Sequence, residues 1–237
     1  MSASENDSTG GLATAGSGTR FDASVVLRAL KHTLKEPRHL GLIARKLRMM
    51  ATRNSTFHST DELALANSCP ARMVDEMIRL FQPRSILDIG QGTGQAVAYF
   101  IKKGIADVVG VEGSREAIRA SPFPEKAVLW NLNKTLDLHR RFDLIYSVEV
   151  VEHIHPRYVD NLVQSFSLHG DRIVMTAARP GQGGHGHFNE QPPEYWIERF
   201  VRVGFSYDEA NTTRLKDCKD SYWANILVFV RESRPRE

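Results

Sequence analysis

Short apolar runs alternate with amphipathic segments between residues 70 and 230, and this alternation predicts the fold. Strands are predicted where apolar residues stand together, and helices where apolar residues recur every three or four positions. The predicted strands cover 86–89, 107–111, 127–130, 142–147, 172–176, 205–208 and 223–230, and the predicted helices cover 70–81, 96–102, 114–120, 156–168 and 193–203. Such alternation indicates an α/β domain with a mostly parallel sheet and helices on both faces.

The region ahead of the first predicted strand has a different composition. Residues 1–20 are rich in serine, glycine and threonine and predict a disordered tail, and two helices are predicted over 21–36 and near 40–50. These helices would cap a substrate, hold a polyanion or form only a solvated basic face. We favour the solvated face as the interpretation. Their basic residues are Arg28, Lys31, Lys35, Arg38, Arg45, Lys46, Arg48 and Arg53. The expected divisions are a tail (1–20), a helical extension (21–82), the α/β domain (83–231) and a second tail (232–237).

A glycine-rich turn follows the first predicted strand. Gly90, Gly92 and Gly94 occupy alternate positions shortly after Asp88, and a helix is predicted to begin beside them. Glycines allow a tight turn and bring main-chain N–H groups against a ligand, while the helix N-terminus adds the positive end of its dipole. The stretch therefore predicts a nucleoside-cofactor site at the carboxyl edge of an open α/β sheet.

The spacing of these glycines decides between cofactors. A dinucleotide fingerprint needs a glycine at position 95, where this chain has Gln95. Asp88 would repel a pyrophosphate, whereas its charge suits a cofactor that carries an ammonium or sulfonium group. Here the sequence resembles the class I S-adenosylmethionine-dependent methyltransferases, whose first motif is acid-x-Gly-x-Gly-x-Gly. The resemblance implies a Rossmann-like fold with seven strands and a final antiparallel hairpin, S-adenosylmethionine as cofactor, and cofactor contacts from Asp88, Gly90, Gly92 and Gly94.

Two further strand ends complete the expected cofactor site. Glu112 ends the second predicted strand, where a carboxylate can accept hydrogen bonds from both ribose hydroxyls, and the resemblance assigns it this role. At the third strand end, methyltransferases of this type often have an Asp and an apolar residue that hold the adenine amino group. This chain has Asn131 and Leu132 there, and the amide oxygen of Asn131 would accept the same hydrogen bond without the charge.

The segment after the fourth predicted strand carries two carboxylates and an imidazole. Glu149, Glu152 and His153 would share one face if residues 149–153 form a helical turn. Such a set beside a cofactor suits a hard divalent ion such as Mg²⁺ or Mn²⁺. The Glu-x-x-Glu-His pattern resembles the ubiquinone-pathway O-methyltransferases and the small-RNA 3′-end 2′-O-methyltransferases, and in the latter a distant histidine completes the site.

A glycine-rich loop at 180–190 offers this distant histidine and predicts a mobile flap. His187 is the first choice and His185 the second, since the loop follows the fifth strand at the same sheet edge as the cofactor. A metal held by all four side chains would polarise an acceptor oxygen and lower its pKa. The alternatives are that Glu152 only orients a helix, and that His153 acts as a general base without an ion. The residues expected to be catalytic are Glu152, His153 and His187.

Composition and charge narrow the function classes. Charged residues make up 25% and hydrophobic residues 41% of the 237 residues, which is ordinary for a soluble globular domain, and the formal net charge is only +3. The two cysteines do not form a CxxC motif, and the chain has neither an apolar run that could span a membrane nor a secretory pattern. These features predict a cytoplasmic protein without a membrane partner.

The expected activity is methyl transfer from S-adenosylmethionine to an oxygen or nitrogen of a small-molecule acceptor. An RNA 3′ end is the second candidate acceptor, favoured by the Glu-x-x-Glu-His pattern and the basic helices, and a protein side chain is the third. A cofactor-binding regulator without turnover is the alternative outside enzymes, and the Glu and His set argues against it. The sequence leaves the acceptor atom, metal binding and the oligomeric state open.

Overall fold

The structure is a computed structural model that describes residues 69–184, 186–220 and 222–231. Its strands are β1 (Ser85–Ile89), β2 (Asp107–Glu112), β3 (Ala127–Leu129), β4 (Leu144–Ser147), β5 (Arg172–Thr176), β6 (Phe205–Tyr207) and β7 (Ile226–Arg231). Its α-helices are α1 (Ala71–Phe81), α2 (Gln95–Lys102), α3 (Arg115–Arg119), α4 (Val159–His169), α5 (Pro193–Arg202) and α6 (Glu209–Lys216). Short 3-10 turns cover Pro124–Lys126, Val151–His153, Pro156–Tyr158 and Trp223–Asn225.

Parallel pairing decides which edge of the sheet is available to ligands. The seven strands stand in the order β3-β2-β1-β4-β5-β7-β6. The pairs β1–β2, β1–β4, β2–β3 and β4–β5 are parallel, whereas β7 is antiparallel to both β5 and β6. The carboxyl ends of β1, β2, β4 and β5 therefore meet at one edge, which is where ligands bind in open α/β sheets.

Alternate residues of the central strands supply two hydrophobic cores. Ile86 of β1 faces one core, and Leu87 faces the other. The first core takes its helical residues from α1 and α2, including Met73, Met77 and Phe100. The second takes them from α4 and α5, including Phe166, Trp196 and Phe200. Both faces of the sheet are buried, so the central strands read as short continuous apolar runs.

The structure confirms the expected mostly parallel seven-stranded sheet and corrects the expected final hairpin. Helix α6 separates β6 from β7, and the 3-10 turn at Trp223–Asn225 delays the start of β7. The apolar pattern does not reveal α6 because only Thr212 and Leu215 are buried among its eight residues. Asp208 stabilises the start of this helix by accepting a hydrogen bond from the Asn211 N–H at 3.0 Å.

Other element boundaries differ slightly from the expected ones. Strand β4 begins later than predicted because Phe142 forms only an isolated parallel bridge with Gly170. The helix predicted from residue 156 begins as the 3-10 turn Pro156–Tyr158 and continues as α4. Helix α3 is shorter than predicted, and Ser114 caps it by accepting a hydrogen bond from the Ala117 N–H at 3.2 Å.

Helix α1 packs into the core of the domain. Met73, Val74 and Met77 are completely buried, and Pro70 is the N-cap residue of this helix. The expected tail at 1–20, the basic helices and the tail at 232–237 lie outside the described residues, so the expected division of the chain at residue 82 stays a prediction. No helix in the described ranges is both long enough and apolar enough to cross a membrane.

We expect Phe200→Ala to lower the free energy of unfolding by about 3–5 kcal/mol, because it removes a completely buried ring. The Phe200 ring stacks on Phe229 with centroids 4.4 Å apart and meets Phe166 and Phe205 edge to face. Urea unfolding measures the change. The neighbouring Val201→Ala is the control, since Val201 is 55% exposed and its truncation should cost no more than about 0.5 kcal/mol. Equal losses in the two variants would contradict the described packing of α5.

Candidate active site

The loop after β1 turns tightly around three glycines. Gly90, Gly92 and Gly94 have φ values of +83°, +56° and +74°, in the left-handed region that favours glycine. A Cβ atom on Gly90 would stand 2.3 Å from Val150 Cγ2, so this loop lies directly against the segment that follows β4. The Gly90 N–H donates to Val111 O at 2.8 Å, which fixes the turn on strand β2.

Glu112 holds the other side of the glycine loop. It is buried at the end of β2, and its carboxylate accepts hydrogen bonds from the Gly92 N–H at 3.0 Å and the Ser114 N–H at 2.8 Å. Burial raises the pKa of the Glu112 carboxyl, although these N–H groups oppose the shift. Each carboxylate oxygen has more than one lone pair, so Glu112 can hold the loop and still accept hydrogen bonds from a ligand.

Asp88 belongs to a buried polar row that crosses three strands. Asp88 lies opposite Tyr146 on β4 and opposite Gly110 on β2, and the Gln91 side chain lies against Gly110. Asp88 Oδ2, the Tyr146 hydroxyl and both amide atoms of Gln91 are buried without a hydrogen-bond partner. Such atoms are rare in folded proteins, so the row (Gln91, Asp88 and Tyr146) is a candidate for contact with a polar ligand or water.

The electrostatics of Asp88 follow from this burial. The side chain is 2% exposed, and burial, with a smaller contribution from the Glu112 carboxylate, raises the pKa of Asp88 to about 8. Sequence reasoning did not identify Tyr146 or Gln91 as site residues. The available signal for Tyr146 was a hydroxyl-bearing side chain inside an otherwise apolar strand, at the position that pairs with Asp88.

The expected adenine contacts lie just beyond the end of β3. The Trp130 N–H donates to Glu112 O at 2.9 Å, which brings this strand end beside Glu112, the residue expected to bind the ribose. Asn131 is exposed, and its Oδ1 accepts a hydrogen bond from the Asn133 N–H at 3.0 Å. Leu132 is half-buried and packs against the second core. The role of Asn131 and Leu132 in holding adenine stays a prediction.

The segment after β4 and the loop after β5 bring together three of the expected metal ligands. One ligand atom from each of Glu152, His153 and His187 lies within 4.8 Å of the other two, and we call this group the Glu–His cluster. The two imidazole rings meet edge to face with centroids 4.9 Å apart. Glu152 is completely buried, and neither carboxylate oxygen has a hydrogen-bond partner. Two imidazoles and a carboxylate form a donor set that suits a divalent transition-metal ion.

Both histidines of the cluster are oriented through Nδ1. His153 Nδ1 lies 3.2 Å from Gly186 O, and His187 Nδ1 lies 3.2 Å from Glu190 Oε1. Carbonyl and carboxylate oxygens accept hydrogen bonds, so in the neutral ring Nδ1 carries the proton and Nε2 carries the lone pair. Metal-bound histidines commonly have such an acceptor on the other ring nitrogen. Glu190 was not among the site residues expected from the sequence.

Glu149 occupies a different position from the one predicted. Residues 149–153 do not form one helical turn, because the 3-10 turn begins at Val151 and Glu149 precedes it with a φ of +57°. Glu149 does not belong to the group of residues whose ligand atoms lie within 4.8 Å of one another. Burial raises the pKa of both glutamates, and the Glu149 carboxylate raises that of Glu152 further.

The loop that carries His187 is anchored to the same turn. The Glu152 carbonyl accepts hydrogen bonds from the Phe188 and Asn189 N–H groups, both at 3.1 Å. The Gly181 N–H donates to Glu190 Oε2 at 2.9 Å. These bonds hold His187 at the cluster, while the mobility expected of the loop stays a prediction. His185, the second choice for a ligand, lies outside the described residues.

The glycine loop and the Glu–His cluster are adjacent. Gly90 touches Val150, and Val150 O accepts a hydrogen bond from the His153 N–H at 3.0 Å. One side of this edge can thus hold a nucleoside against main-chain N–H groups and the Glu112 carboxylate. The other side can hold a cation or withdraw a proton from a bound oxygen. Together they form a site suited to group transfer between a nucleoside cofactor and an acceptor.

Comparison with known proteins agrees with this geometry. Residues 64–171 match the model of a methyltransferase domain family. The structure is similar to a TehB-like SAM-dependent methyltransferase from Corynebacterium glutamicum, with 21% identity over 83% of this chain and 100% of that chain and a TM-score of 0.52. It is also similar to the glycopeptide N-methyltransferase MtfA complexed with S-adenosyl-L-homocysteine, with 12% identity over 70% of this chain and 91% of that chain and a TM-score of 0.52. A third similar structure, the methyltransferase domain of bacterial CtHen1-C, has 12% identity over 69% of this chain and 98% of that chain and a TM-score of 0.52.

Buried Asp88 predicts that the stability of the ligand-free protein falls as the pH rises. The folded protein keeps a proton on Asp88 up to about pH 8, whereas the unfolded chain loses it near pH ~4. Between these values the unfolded state binds fewer protons, so this group lowers the free energy of unfolding by at most about 1.4 kcal/mol per pH unit. Urea unfolding over this pH range should show a shallower slope for Asp88→Asn than for the unmodified protein.

Asp160→Asn is the matched control, because the Asp160 side chain is 88% exposed and its replacement should leave the slope unchanged. If Asp88→Asn and the unmodified protein lose stability equally between about pH 5 and about pH 8, Asp88 does not hold a proton in the folded state.

Proposed function

Because residues 64–171 match a methyltransferase domain family and the fold is similar to that of a SAM-dependent methyltransferase, we propose that this chain is a class I S-adenosylmethionine-dependent methyltransferase, which transfers a methyl group to an oxygen of a small-molecule acceptor with the help of a divalent metal ion. The observation that carries the proposal is the Glu–His cluster directly beside the glycine loop. A similar fold serves a glycopeptide N-methyltransferase, whose acceptor is not a nucleic acid.

The glycine loop and Glu112 are the proposed cofactor contacts. Gly90, Gly92 and Gly94 would offer main-chain N–H groups, and Glu112 would accept hydrogen bonds from the ribose hydroxyls with its remaining lone pairs. Asp88 would face the positively charged methionine end, and Asn131 with Leu132 would contact the adenine. The support is geometric, since Glu112 reaches across to Gly92 and so stands where loop and strand β2 converge.

Glu152, His153 and His187 are the proposed metal ligands, with Glu149 beside them. The residues fit a metal ion because Glu152 is a buried carboxyl without a hydrogen-bond partner and both imidazoles are oriented through Nδ1. Two nitrogen donors favour Mn²⁺ over Mg²⁺, which prefers oxygen ligands. A bound ion would supply Lewis-acid polarisation of the acceptor oxygen and lower the pKa of its hydroxyl.

Positioning supplies most of the rate in such a reaction. Methyl transfer from a sulfonium is an in-line displacement, in which the acceptor oxygen must approach the methyl carbon opposite the departing sulfur. The contact between Gly90 and Val150 places the cofactor loop against the segment that carries Glu152 and His153, so donor and acceptor would meet at this border. His153 would accept the acceptor proton directly if the reaction needs no metal.

An RNA 3′ end is the second candidate acceptor. The observation that favours it is the Glu-x-x-Glu-His pattern at 149–153, which small-RNA 2′-O-methyltransferases share. RNA binding through phosphate contacts would weaken steeply with salt, whereas binding of an uncharged small molecule would not. A salt titration of acceptor binding therefore separates the two candidates. The alternative outside enzymes is a regulator without turnover, which would bind the cofactor but methylate neither class of acceptor.

We expect Glu112→Gln to weaken binding of S-adenosylhomocysteine about 10- to 100-fold, because it replaces a charged hydrogen-bond acceptor for the ribose with a neutral one. Isothermal titration calorimetry measures the affinity. Glu125→Gln is the control, since Glu125 is exposed in the turn before β3 and should leave the affinity unchanged. An unchanged affinity in Glu112→Gln would remove this residue from the cofactor site.

We expect Glu152→Gln to weaken Mn²⁺ binding by more than about 100-fold, since even the hydrogen-bond partners of metal ligands contribute about 10- to 100-fold. Electron paramagnetic resonance of Mn²⁺ measures the binding, and transfer of labelled methyl to a panel of hydroxylated small molecules and RNA 3′ ends measures the activity. His139→Asn is the control, because the His139 side chain is 88% exposed and its removal should change neither. Methyl transfer that persists at full rate in a chelator would reject the metal and leave His153 as the base.

A further inference from the structure

Thr176 is the last residue of β5 and makes two hydrogen bonds to a single residue. Its hydroxyl accepts from the Glu149 N–H at 2.8 Å and donates to Glu149 Oε1 at 3.0 Å. Thr176 is completely buried, so water does not compete for either bond. The main chain and the side chain of Glu149 are therefore tied to the same atom, at the carboxyl end of the strand that precedes the His187 loop.

The backbone of Glu149 needs such support. Its φ of +57° lies in the left-handed region, which a side chain with a Cβ atom adopts at a cost of about 1 kcal/mol. A hydrogen bond from the Glu149 N–H to a buried hydroxyl contributes about 0.5–1.5 kcal/mol and offsets this cost. With this backbone, both the N–H and the side chain of Glu149 reach the Thr176 hydroxyl.

The fixed carboxylate stands beside the Glu–His cluster. One oxygen of Glu149 is held by Thr176, the last residue before the loop that carries His187, and Glu149 stands two residues before the 3-10 turn Val151–His153. Glu149 is half-buried, whereas Glu152 is fully buried, so Glu149 is the more accessible of the two carboxylates. A fourth ligand from this residue would complete the coordination of an ion at the cluster.

We propose that Thr176 is a positioning residue that holds Glu149 as the fourth carboxylate or imidazole donor to a divalent ion, and so sets the affinity of the Glu–His cluster for Mn²⁺. The inference rests on the metal site of the proposed function. Thr176 does not contact the ion or the acceptor itself. Its effect passes through Glu149, and removal of its hydroxyl leaves the Glu149 carboxylate without its partner and the Glu149 N–H without an acceptor.

The test compares Mn²⁺ binding to the full chain and to the variants Thr176→Val, Thr176→Ser and Glu149→Gln. Thr176→Val keeps the side-chain volume but removes the hydroxyl, and we expect it to weaken Mn²⁺ about 10- to 100-fold. Thr176→Ser keeps the hydroxyl and should restore the affinity. Glu149→Gln should weaken Mn²⁺ at least as much as Thr176→Val, and the double variant should bind no worse than Glu149→Gln alone, because both changes act through one carboxylate.

Electron paramagnetic resonance adds a readout that a merely structural role would not move. The Mn²⁺ spectrum of Thr176→Val should match that of Glu149→Gln, since both lose the same ligand. Affinity for S-adenosylhomocysteine, measured by calorimetry, should stay within about twofold in every variant, because the glycine loop is untouched. If Thr176→Val does not fold, the comparison of Glu149→Gln and Thr176→Ser with the unmodified protein still decides whether Glu149 is a ligand.

Three results would overturn the inference. Native Mn²⁺ affinity in Thr176→Val or Glu149→Gln, together with its loss in Glu152→Gln, rejects the role of Thr176 and Glu149 but leaves the metal site. A Thr176→Ser variant as weak as Thr176→Val shows that the hydroxyl, which serine keeps, does not set the affinity. Absence of Mn²⁺ binding by the unmodified protein rejects the metal site and this inference together.

Discussion

The close approach of Gly90 to Val150 is the contact on which the whole site depends. No side chain fits between them, since a Cβ on Gly90 would stand 2.3 Å from Val150 Cγ2. The parallel pairing of β1 with β4 brings the two strand ends side by side, and the missing side chain lets their loops touch. The half of the site built from the glycine loop and the half built from the Glu–His cluster therefore share a wall, and their separation is set by the sheet.

The same edge of the sheet also carries buried carboxyl groups that lack hydrogen-bond partners. Glu152 keeps both carboxylate oxygens unpaired, and Asp88 keeps one. A buried carboxyl loses the solvation of its charged form, so each group favours its neutral form and reduces stability at neutral pH. Such groups cluster at functional sites. There a bound cation can replace the favourable interactions that the carboxylate loses when it is removed from water. The two unpaired acids are therefore the places at this edge where a bound positive charge would relieve the cost of burial.

The sequence predicted which strand ends and loops lie together at this edge, and little of what depends on register between strands. The glycine loop, Glu112 and the nearness of Glu152, His153 and His187 follow from strand ends that meet at one edge. The position of Glu149 was misjudged because a left-handed residue breaks the helical spacing. Thr176 and Tyr146 belong to no sequence motif. Their place in the site follows only from their contacts with Glu149 and Asp88, which lie far from them in the sequence. Helix α6 was missed because its polar surface hides the period of its few buried residues.

Helix α1, the first described helix, is joined by hydrogen bonds to the segment that precedes the last strand. Asp220 accepts hydrogen bonds from the main-chain N–H groups of Arg72 and Met73, so a residue near the last strand supplies the negative charge that the first turn of α1 lacks. Helix α1 contributes three completely buried side chains to the first core. Loss of the segment that carries Asp220 would thus loosen helix α1 as well, and the two should unfold together instead of separately.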